Sequence, residues 1–212
     1  MCSSDLENTA VGAIALFANT FGSYNTAVGS FSMQANTVGG WNTAVGYFAL
    51  NANTNGQDNT GVGAYSLFQN TSGSGNTACG FQSLSGNRDG GNNTAVGDSA
   101  MFANKGGSHN TAIGYQALTD NTNGSYNTAL GEGALSHNRD GGPNTALGAS
   151  AMVQNLDGDN NLAAGFQTLY NNTNGSLNTA IGNNAMLSNK SGSQNTAVGY
   201  SALGGIAGYN NI

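Results

Sequence analysis

Apolar and polar positions alternate in the same short motif twelve times along the chain, always at a spacing of 17 residues. The motif is Asn-Thr-Ala, then an aliphatic residue, then Gly, and no residue is inserted or lost between copies. The alternation predicts a short strand in each copy. The fixed short period predicts a solenoid in which every repeat forms one coil stacked on its neighbours. We number the positions of each coil from 1 to 17, starting at the motif asparagine: Asn8, Asn25, Asn42, Asn59, Asn76, Asn93, Asn110, Asn127, Asn144, Asn161, Asn178 and Asn195.

Strand alternation places positions 2 and 4 on one face and positions 1, 3 and 5 on the other. Position 4 is apolar in every copy, so we expect side chains such as Val45, Ile113 and Leu147 to point into the coil. Position 9, which is Leu or Met from Leu16 to Leu203, predicts a second inward row. Position 3 is Ala in eleven copies and would then face outward, where it indicates close packing against further copies of the chain. The alternative is that Ala is the inward residue of a narrow coil in a single chain.

Glycine and asparagine mark the corners of the predicted coil. Gly stands at position 5 in all twelve copies and at position 15 in eleven, where we expect it to allow turns with positive φ. Asn stands at position 1 in all copies and at position 12 in eleven, so stacked amides can hydrogen-bond from coil to coil. The predicted fold is therefore an all-β parallel β-solenoid of twelve 17-residue coils, with residues 8–211 as a single repeat domain.

Composition and charge disfavour several classes of function. Charged residues make up 7% of the chain and the net charge is −6. No basic patch is available to neutralise phosphates, so we expect no nucleic-acid partner. No apolar run is long enough to cross a bilayer, so we expect no membrane insertion by this segment. All basic residues fall at position 13: Arg88, Lys105, Arg139 and Lys190. We expect them to form a solvated edge that discourages lateral aggregation. The alternative is a stripe that binds a receptor.

No constellation of side chains indicates catalysis or a bound metal or cofactor, and we expect a protein that is not an enzyme. His109 and His137 lie two coils apart at different positions, which favours solvated histidines over metal ligands. Cys79 occupies position 4 and is expected to be a buried free thiol, whereas Cys2 lies outside the repeats, so no disulfide is predicted. A polysaccharide-cleaving solenoid would need acids clustered on one face, but the acids are scattered: Asp58, Asp89, Asp98, Asp120, Glu132, Asp140, Asp157 and Asp159.

Aromatic side chains concentrate at positions 6, 7, 10 and 17, which vary most between copies. We expect these positions to face outward, and a glycan or another surface would be bound there. The alternative is that some of the rings cover a groove between chains. The aromatic residues concerned are Tyr24, Trp41, Tyr47, Phe48, Phe68, Phe81, Tyr115, Tyr126, Phe166 and Tyr170.

Both ends of the chain depart from the period. Cys2 and Asp5 stand where the register extended backwards would place Asn and Gly, so we expect residues 1–7 to be non-native or an upstream remnant. Residues 1–6 in particular resemble the translation of a sequencing-adapter tail. Ile206 and Tyr209 replace the expected Asn and Gly of the last coil, which is expected to fray, to form a cap or to be cut.

The run Asn-Thr-Ala-Val-Gly-x-x-Ala-Leu at residues 42–50 resembles the head repeats of YadA-type trimeric autotransporter adhesins, which carry Ser-Val-Ala-Ile-Gly-x-x-Ser. The run at residues 110–118 is similar to the repeats of phage-type tail-fibre proteins. This resemblance implies a left-handed β-roll, assembled as a homotrimer and exposed on a cell surface or as part of a virion tail fibre. The adhesin repeat is shorter, so the outward loop and the contact between chains could differ here.

These patterns together predict a structural or adhesive repeat segment of an extracellular trimeric fibre, with a host-surface glycan or protein as a receptor still to be identified. The alternative is an ice-binding β-solenoid, in which a flat row of Thr orders water. Only one tightly kept Thr position exists in the strand, and its alternation with the aliphatic residue favours an inward orientation. A Thr-x-Thr pair on a flat outward face would have favoured ice binding.

Overall fold

The computed structural model describes residues 7–205, 208 and 211. In these residues the chain is an all-β parallel solenoid with twelve three-residue strands and no helix. The chain divides into two compact units, Met1–Gly106 and Gly107–Ile212, and each is described by itself. The first unit contains β1 Thr9–Val11, β2 Thr26–Val28, β3 Thr43–Val45, β4 Thr60–Val62, β5 Thr77–Cys79 and β6 Thr94–Val96. The second contains β7 Thr111–Ile113, β8 Thr128–Leu130, β9 Thr145–Leu147, β10 Leu162–Ala164, β11 Thr179–Ile181 and β12 Thr196–Val198.

The strands of each unit pair in parallel and in chain order, always between identical positions of successive coils. In the first unit Thr26 lies opposite Thr43, and in the second Thr128 lies opposite Thr145. Backbone bonds of 2.8 Å from the position 2 amide to the next position 1 carbonyl continue the pairing, as between Thr26 and Asn42. Each position therefore forms a column of one residue type, as the 17-residue period predicts.

The predicted orientation of the strands is wrong, and the alternative, in which Ala is the inward residue of a narrow coil, has the correct orientation. From Ala27 to Ala197 the Ala side chains at position 3 are buried, whereas the aliphatic side chains at position 4 are 38% exposed at Val45 and 40% exposed at Ile113. The reason is the narrow interior of the coil. A Cβ added at Gly61, the only position 3 residue without one, would lie 3.0 Å from both Leu50 Cδ1 and Ser66 Oγ. The interior therefore admits no side chain larger than that of Ala at position 3, and at Gly61 even a methyl group would require its neighbours to shift.

The interior is filled mainly from position 9, as predicted. Met33, Leu67 and Leu118 are fully buried there, and the small residues at position 8 lie beside them. Serine hydroxyls at position 8 donate to the position 5 carbonyl of the same coil, as Ser66 Oγ does to Gly63 at 2.9 Å, whereas Thr168 Oγ1 donates to Gly182 of the next coil. Each coil therefore buries one large apolar side chain, at position 9, instead of the two expected from positions 4 and 9 together.

Two ladders of buried asparagine amides run through the coils and confirm the predicted amide stacking. At position 12, Asn53 Nδ2 donates to Asn36 Oδ1 at 2.8 Å, and the same nitrogen donates to the Gly56 carbonyl at 3.1 Å. At position 1, Asn42 Nδ2 donates to the same Gly56 carbonyl at 2.8 Å and to Asn25 Oδ1 at 3.1 Å. Both ladders therefore meet at the position 15 carbonyl, which satisfies polar groups that would be costly to bury alone.

The two glycine positions serve different purposes. Gly29 at position 5 has φ of +131°, which only glycine adopts readily, so the predicted turn is confirmed there. The glycines at position 15 do not have positive φ. A Cβ at Gly141 would instead lie 2.6 Å from the Gly158 carbonyl oxygen and 2.9 Å from Asn138 Oδ1. Glycine is required at position 15 because the asparagine ladders pass so close to the backbone.

The departures predicted for Cys2, Asp5, Ile206 and Tyr209 lie outside the described residues. Near the end of the second unit, the Asn195 Nδ2 bonds to the carbonyl of Gly208 at 2.7 Å, and the Asn211 amide bonds to Asn195 Oδ1 at 2.9 Å. These are the contacts of positions 15 and 1, made one residue earlier than the period. The handedness of the coil and the single-domain assignment of residues 8–211 stay predictions.

Candidate functional site

The outward side of the strands, formed by positions 2 and 4, is a regular exposed surface in both units, and we call it the strand face. Position 2 is Thr in eleven copies and position 4 is always apolar. The position 4 column consists of Val11, Val28, Val45, Val62, Cys79 and Val96 in the first unit, and Ile113, Leu130, Leu147, Ala164, Ile181 and Val198 in the second. Each unit thus presents an apolar column beside a column of hydroxyl groups.

Cys79 belongs to this face and is an exposed free cysteine, so its predicted burial is wrong. The error follows from the reversed strand, because position 4 points away from the interior. The thiol lies in the column otherwise occupied by aliphatic side chains.

The threonine hydroxyls of the strand face differ from those at position 13. Thr37 Oγ1 and Thr122 Oγ1, both at position 13, donate to the position 13 carbonyl of the next coil at 2.9 and 3.0 Å. The described position 2 hydroxyls, such as those of Thr43 and Thr128, make no such hydrogen bond within the chain. The hydroxyls of the strand face are therefore available for hydrogen bonds to water or to another molecule.

A second exposed surface is formed by positions 6, 7, 10 and 17, and we call it the variable surface. The aromatic residues predicted to face outward are exposed or half-buried, which confirms that prediction. At position 6, Phe81 and Phe166 are each 48% exposed. Unlike the strand face, this surface carries a different set of side chains in nearly every coil.

In the first unit the variable surface contains an aromatic stack. The rings of Phe31 and Phe48 are parallel with centroids 4.7 Å apart, and Tyr65 continues the stack at 5.6 Å from Phe48. Tyr47 and Phe68 meet the stack edge-on. In the second unit the positions equivalent to the stack hold residues such as Gln, Ser and Asn, and the ring contact found in its described residues joins His109 and Tyr126.

Residues at positions 7, 9 and 17 adopt a left-handed backbone conformation, which sequence reasoning missed. Leu67 has φ of 50° and Trp41 has φ of 54°. This conformation costs roughly 1–2 kcal/mol for a residue with a side chain. Burial offsets the cost at position 9. The sequence indicated the left-handed conformation only at position 17, where Asp58, Gly75 and Asn92 are residue types that tolerate it.

The charged residues do not converge on a site. The four basic side chains at position 13 are exposed, as expected. His137 Nδ1 lies 2.6 Å from Asp120 Oδ2, with both side chains about half exposed, while His109 stacks on Tyr126 with centroids 4.9 Å apart. Within residues 7–205, 208 and 211, no group of three or more His, Cys, Asp or Glu side chains could hold a metal ion. The strand face and the variable surface are therefore the candidate functional surfaces.

Comparisons with protein-family models, with curated proteins and with solved structures give no match to this chain. The described part of the chain contains no helix that is long and apolar enough to span a bilayer. The class established is that of the parallel β-solenoids, and any function rests on the two surfaces.

Proposed function

We propose that the chain is a structural and adhesive repeat segment of an extracellular fibre, in which three copies pack around one axis through their strand faces. The observation that carries this proposal is the column of exposed aliphatic side chains at position 4. In a single chain, residues such as Val62 and Ile113 keep more than a third of their surface in water. A continuous apolar column of this kind favours an interface.

The energetics of covering the strand face support an assembly of identical chains. Covering the exposed part of one Val or Ile side chain contributes on the order of 1 kcal/mol, and each unit supplies a whole column of them. Parallel copies related by rotation place identical positions opposite one another, so a repeated column meets a repeated column. The outward Ala that first suggested such packing is in fact buried, and position 4 replaces it as the contacting residue.

The proposed fibre has no catalytic role, and its work is to hold a stiff repeat array and to present the variable surface to a receptor. The left-handed coil, the trimer and the extracellular location are implied by the resemblance of the repeat to adhesin heads and tail fibres. The variable surface suits recognition because its residues change from coil to coil while the backbone does not.

Sedimentation equilibrium at micromolar concentration tests the assembly. The proposal predicts a species of three chains, each of 21.2 kDa. A homogeneous monomer under these conditions would contradict it.

A second candidate function, an ice-binding β-solenoid, is favoured by the outward position 2 hydroxyls. The sequence raised two objections, that these threonines point inward and that the strand has only one Thr column. Their partly exposed hydroxyls, unpaired within the described residues, remove the first objection and leave the second. Hydroxyl and aliphatic columns alternate on the same face, with coils about 4.8 Å apart, so the surface could order water regularly.

Thermal hysteresis in a freezing droplet distinguishes the two functions. If this chain is an ice-binding protein, we expect a monomer that shows thermal hysteresis. Thr128→Lys on the strand face should abolish the hysteresis, and Thr122→Lys at position 13 should leave it unchanged. The absence of hysteresis in the unmodified protein eliminates this candidate.

A further inference from the structure

Three consecutive coils of the first unit place Tyr24, Trp41 and Asp58 in one row at position 17, and Glu7, the residue before the first coil, continues the row. All four residues have left-handed backbone conformations, with φ between 48° and 60°. The amide of Trp41 bonds to the Ser23 carbonyl at 3.0 Å, and the amide of Asp58 makes the equivalent bond at 3.2 Å one coil later. Because the backbone conformations match, the side chains leave the coils in the same direction at successive levels.

The two aromatic rings of this row stack on each other and remain largely in solvent. The centroids of Tyr24 and Trp41 are 5.4 Å apart with an interplanar angle of 12°, and the side chains are 49% and 58% exposed. The stack covers one face of the indole. The next residue along the row is Asp58, whose carboxylate is too small to cover the other face and has no ion pair or hydrogen bond in the described residues.

Packing within the chain does not account for large rings at these two positions. A left-handed conformation favours Asn, Asp or Gly, and position 17 has such residues at Asp58, Gly75 and Asn92. Tyr24 and Trp41 bear the conformational cost although about half of each residue stays in solvent. The conformation recurs at position 17 in most coils, so the feature that sets this row apart is the exposed Tyr–Trp pair.

We propose that this row binds a neutral saccharide, with one pyranose ring stacked on the free face of Trp41. The apolar C–H face of a pyranose matches a flat indole, and its hydroxyls would donate hydrogen bonds to the carboxylate of Asp58 on the same side. The carboxylate of Glu7 lies at the opposite end of the row, beyond Tyr24. Those carboxylates and the net charge of −6 disfavour sialylated or sulfated sugars. The site deepens the proposed adhesive function, because it names a ligand class and a place for it on the variable surface.

The fluorescence of Trp41, the only tryptophan in the chain, reports directly on this site. We expect a saturable shift of its emission on titration with at least one of lactose, cellobiose and mannobiose. The anionic 3′-sialyllactose should give no shift. Absence of a shift with all three neutral disaccharides, or an equal shift with sialyllactose, would overturn the proposal.

Saturation-transfer NMR extends the test to variants that lack the indole. Trp41→Ala and Asp58→Asn should each weaken binding at least about ten-fold, as expected for the loss of a stacked ring or a charged acceptor. Tyr126→Ala provides the matched control, because Tyr126 also stacks at position 17 but is followed by Pro143 rather than by an acid. Equal losses in the control would contradict the assignment.

Sedimentation of the same variants separates this inference from the proposed trimer. If Trp41→Ala changes the oligomeric state, the row belongs to a contact between chains and the saccharide site is refuted. If binding fails while the trimer persists, only the saccharide site is refuted, since the fibre depends on the strand face.

Discussion

The strand face and the variable surface are both exposed in a single chain, yet they differ in regularity. Position 4 of the strand face is apolar in every coil, and position 2 is Thr in all but one. On the variable surface, position 6 ranges from Ala and Ser to Glu, Tyr and Phe. Solvent imposes the same weak constraints on both surfaces, so it cannot account for the difference.

The difference is what we expect if a second molecule constrains the strand face, as proposed above. Strand propensity favours Val and Ile at position 4, but polar Thr would satisfy propensity as well. The buried columns at positions 3, 9 and 12 need no outside cause, because packing and hydrogen bonding within the chain fix them. Position 4 points away from the interior, so packing within the chain does not explain why it is always apolar. For this reason we place the proposed contact between copies at position 4.

A charge on the strand face should produce the largest effect on assembly. In Ile113→Asp, three carboxylates would be brought together at one level of the interface. Leaving such charges buried and unpaired costs about 3–5 kcal/mol, which corresponds to association weakened about 100-fold or more. The single chain should still fold, since Ile113 is 40% exposed. Sedimentation velocity across a concentration series, with circular dichroism to check folding, measures both.

The matched control for this variant is Tyr115→Asp, two residues further along the same coil on the variable surface. Tyr115 is also exposed, so the added charge should leave the trimer intact. Equal dissociation in both variants would show that the two surfaces do not differ.

The inward polar ladder should be the next most sensitive element. Asn138 Nδ2 donates to Asn121 Oδ1 at 2.9 Å and to the Gly141 carbonyl at 2.8 Å. The Gly141 carbonyl keeps its bond from Asn127 Nδ2, but Asn138→Ala removes both donated bonds and also takes away the Oδ1 that accepts from Asn155 Nδ2 at 2.8 Å. The loss of these buried bonds should cost about 2 kcal/mol of stability or more. Thr145→Ala on the strand face should change the stability of the dissociated chain by less than about 0.5 kcal/mol. Chemical denaturation of both variants in the Ile113→Asp background measures these changes in the free energy of unfolding. Equal losses of stability in the two variants would contradict the prediction.

The aromatic stack should give a smaller, local effect that differs between the units. Phe48→Ser removes the ring between Phe31 and Tyr65 and should destabilise the first unit by about 1 kcal/mol through lost stacking. Gln116→Ser at the same position of the second unit should be close to neutral. Hydrogen exchange resolved by unit measures both changes, and no change in the first unit for Phe48→Ser would show that the stack is not stabilising.

The sequence predicted the repeat, the strands and the asparagine ladders, but not which strand face is buried. Alternation separates position 3 from position 4 without saying which points inward, and hydrophobicity favoured the larger residue. The range of side-chain volumes at each position was the better indicator of which face is buried. Position 3 contains only Ala and Gly61, as a filled narrow interior requires, whereas position 4 ranges from Ala164 to Leu130. A closely packed interior would not tolerate that range.

The candidate surfaces were predicted only in part. The outward aromatic residues followed from the variability of positions 6, 7, 10 and 17. The exposed thiol of Cys79 and the free hydroxyls at position 2 were missed, because both depend on the direction of the strand. The left-handed conformation of Trp41 could not be deduced from its own residue type, and only Asp58 and Asn92 in equivalent coils pointed to it.

Cross-linking at Cys79 tests most directly whether the strand faces of different copies meet. In a Cys2→Ser background, a short bis-maleimide should join Cys79 of one copy to Cys79 of another and give a covalent dimer on a denaturing gel. Moving the thiol to the variable surface, in Cys79→Val with Phe81→Cys, keeps it on the same coil and exposed. We predict efficient cross-linking at residue 79 and little at residue 81. Absence of the product at residue 79, or equal yields at both residues, would contradict the placement of the contact between chains on the strand face.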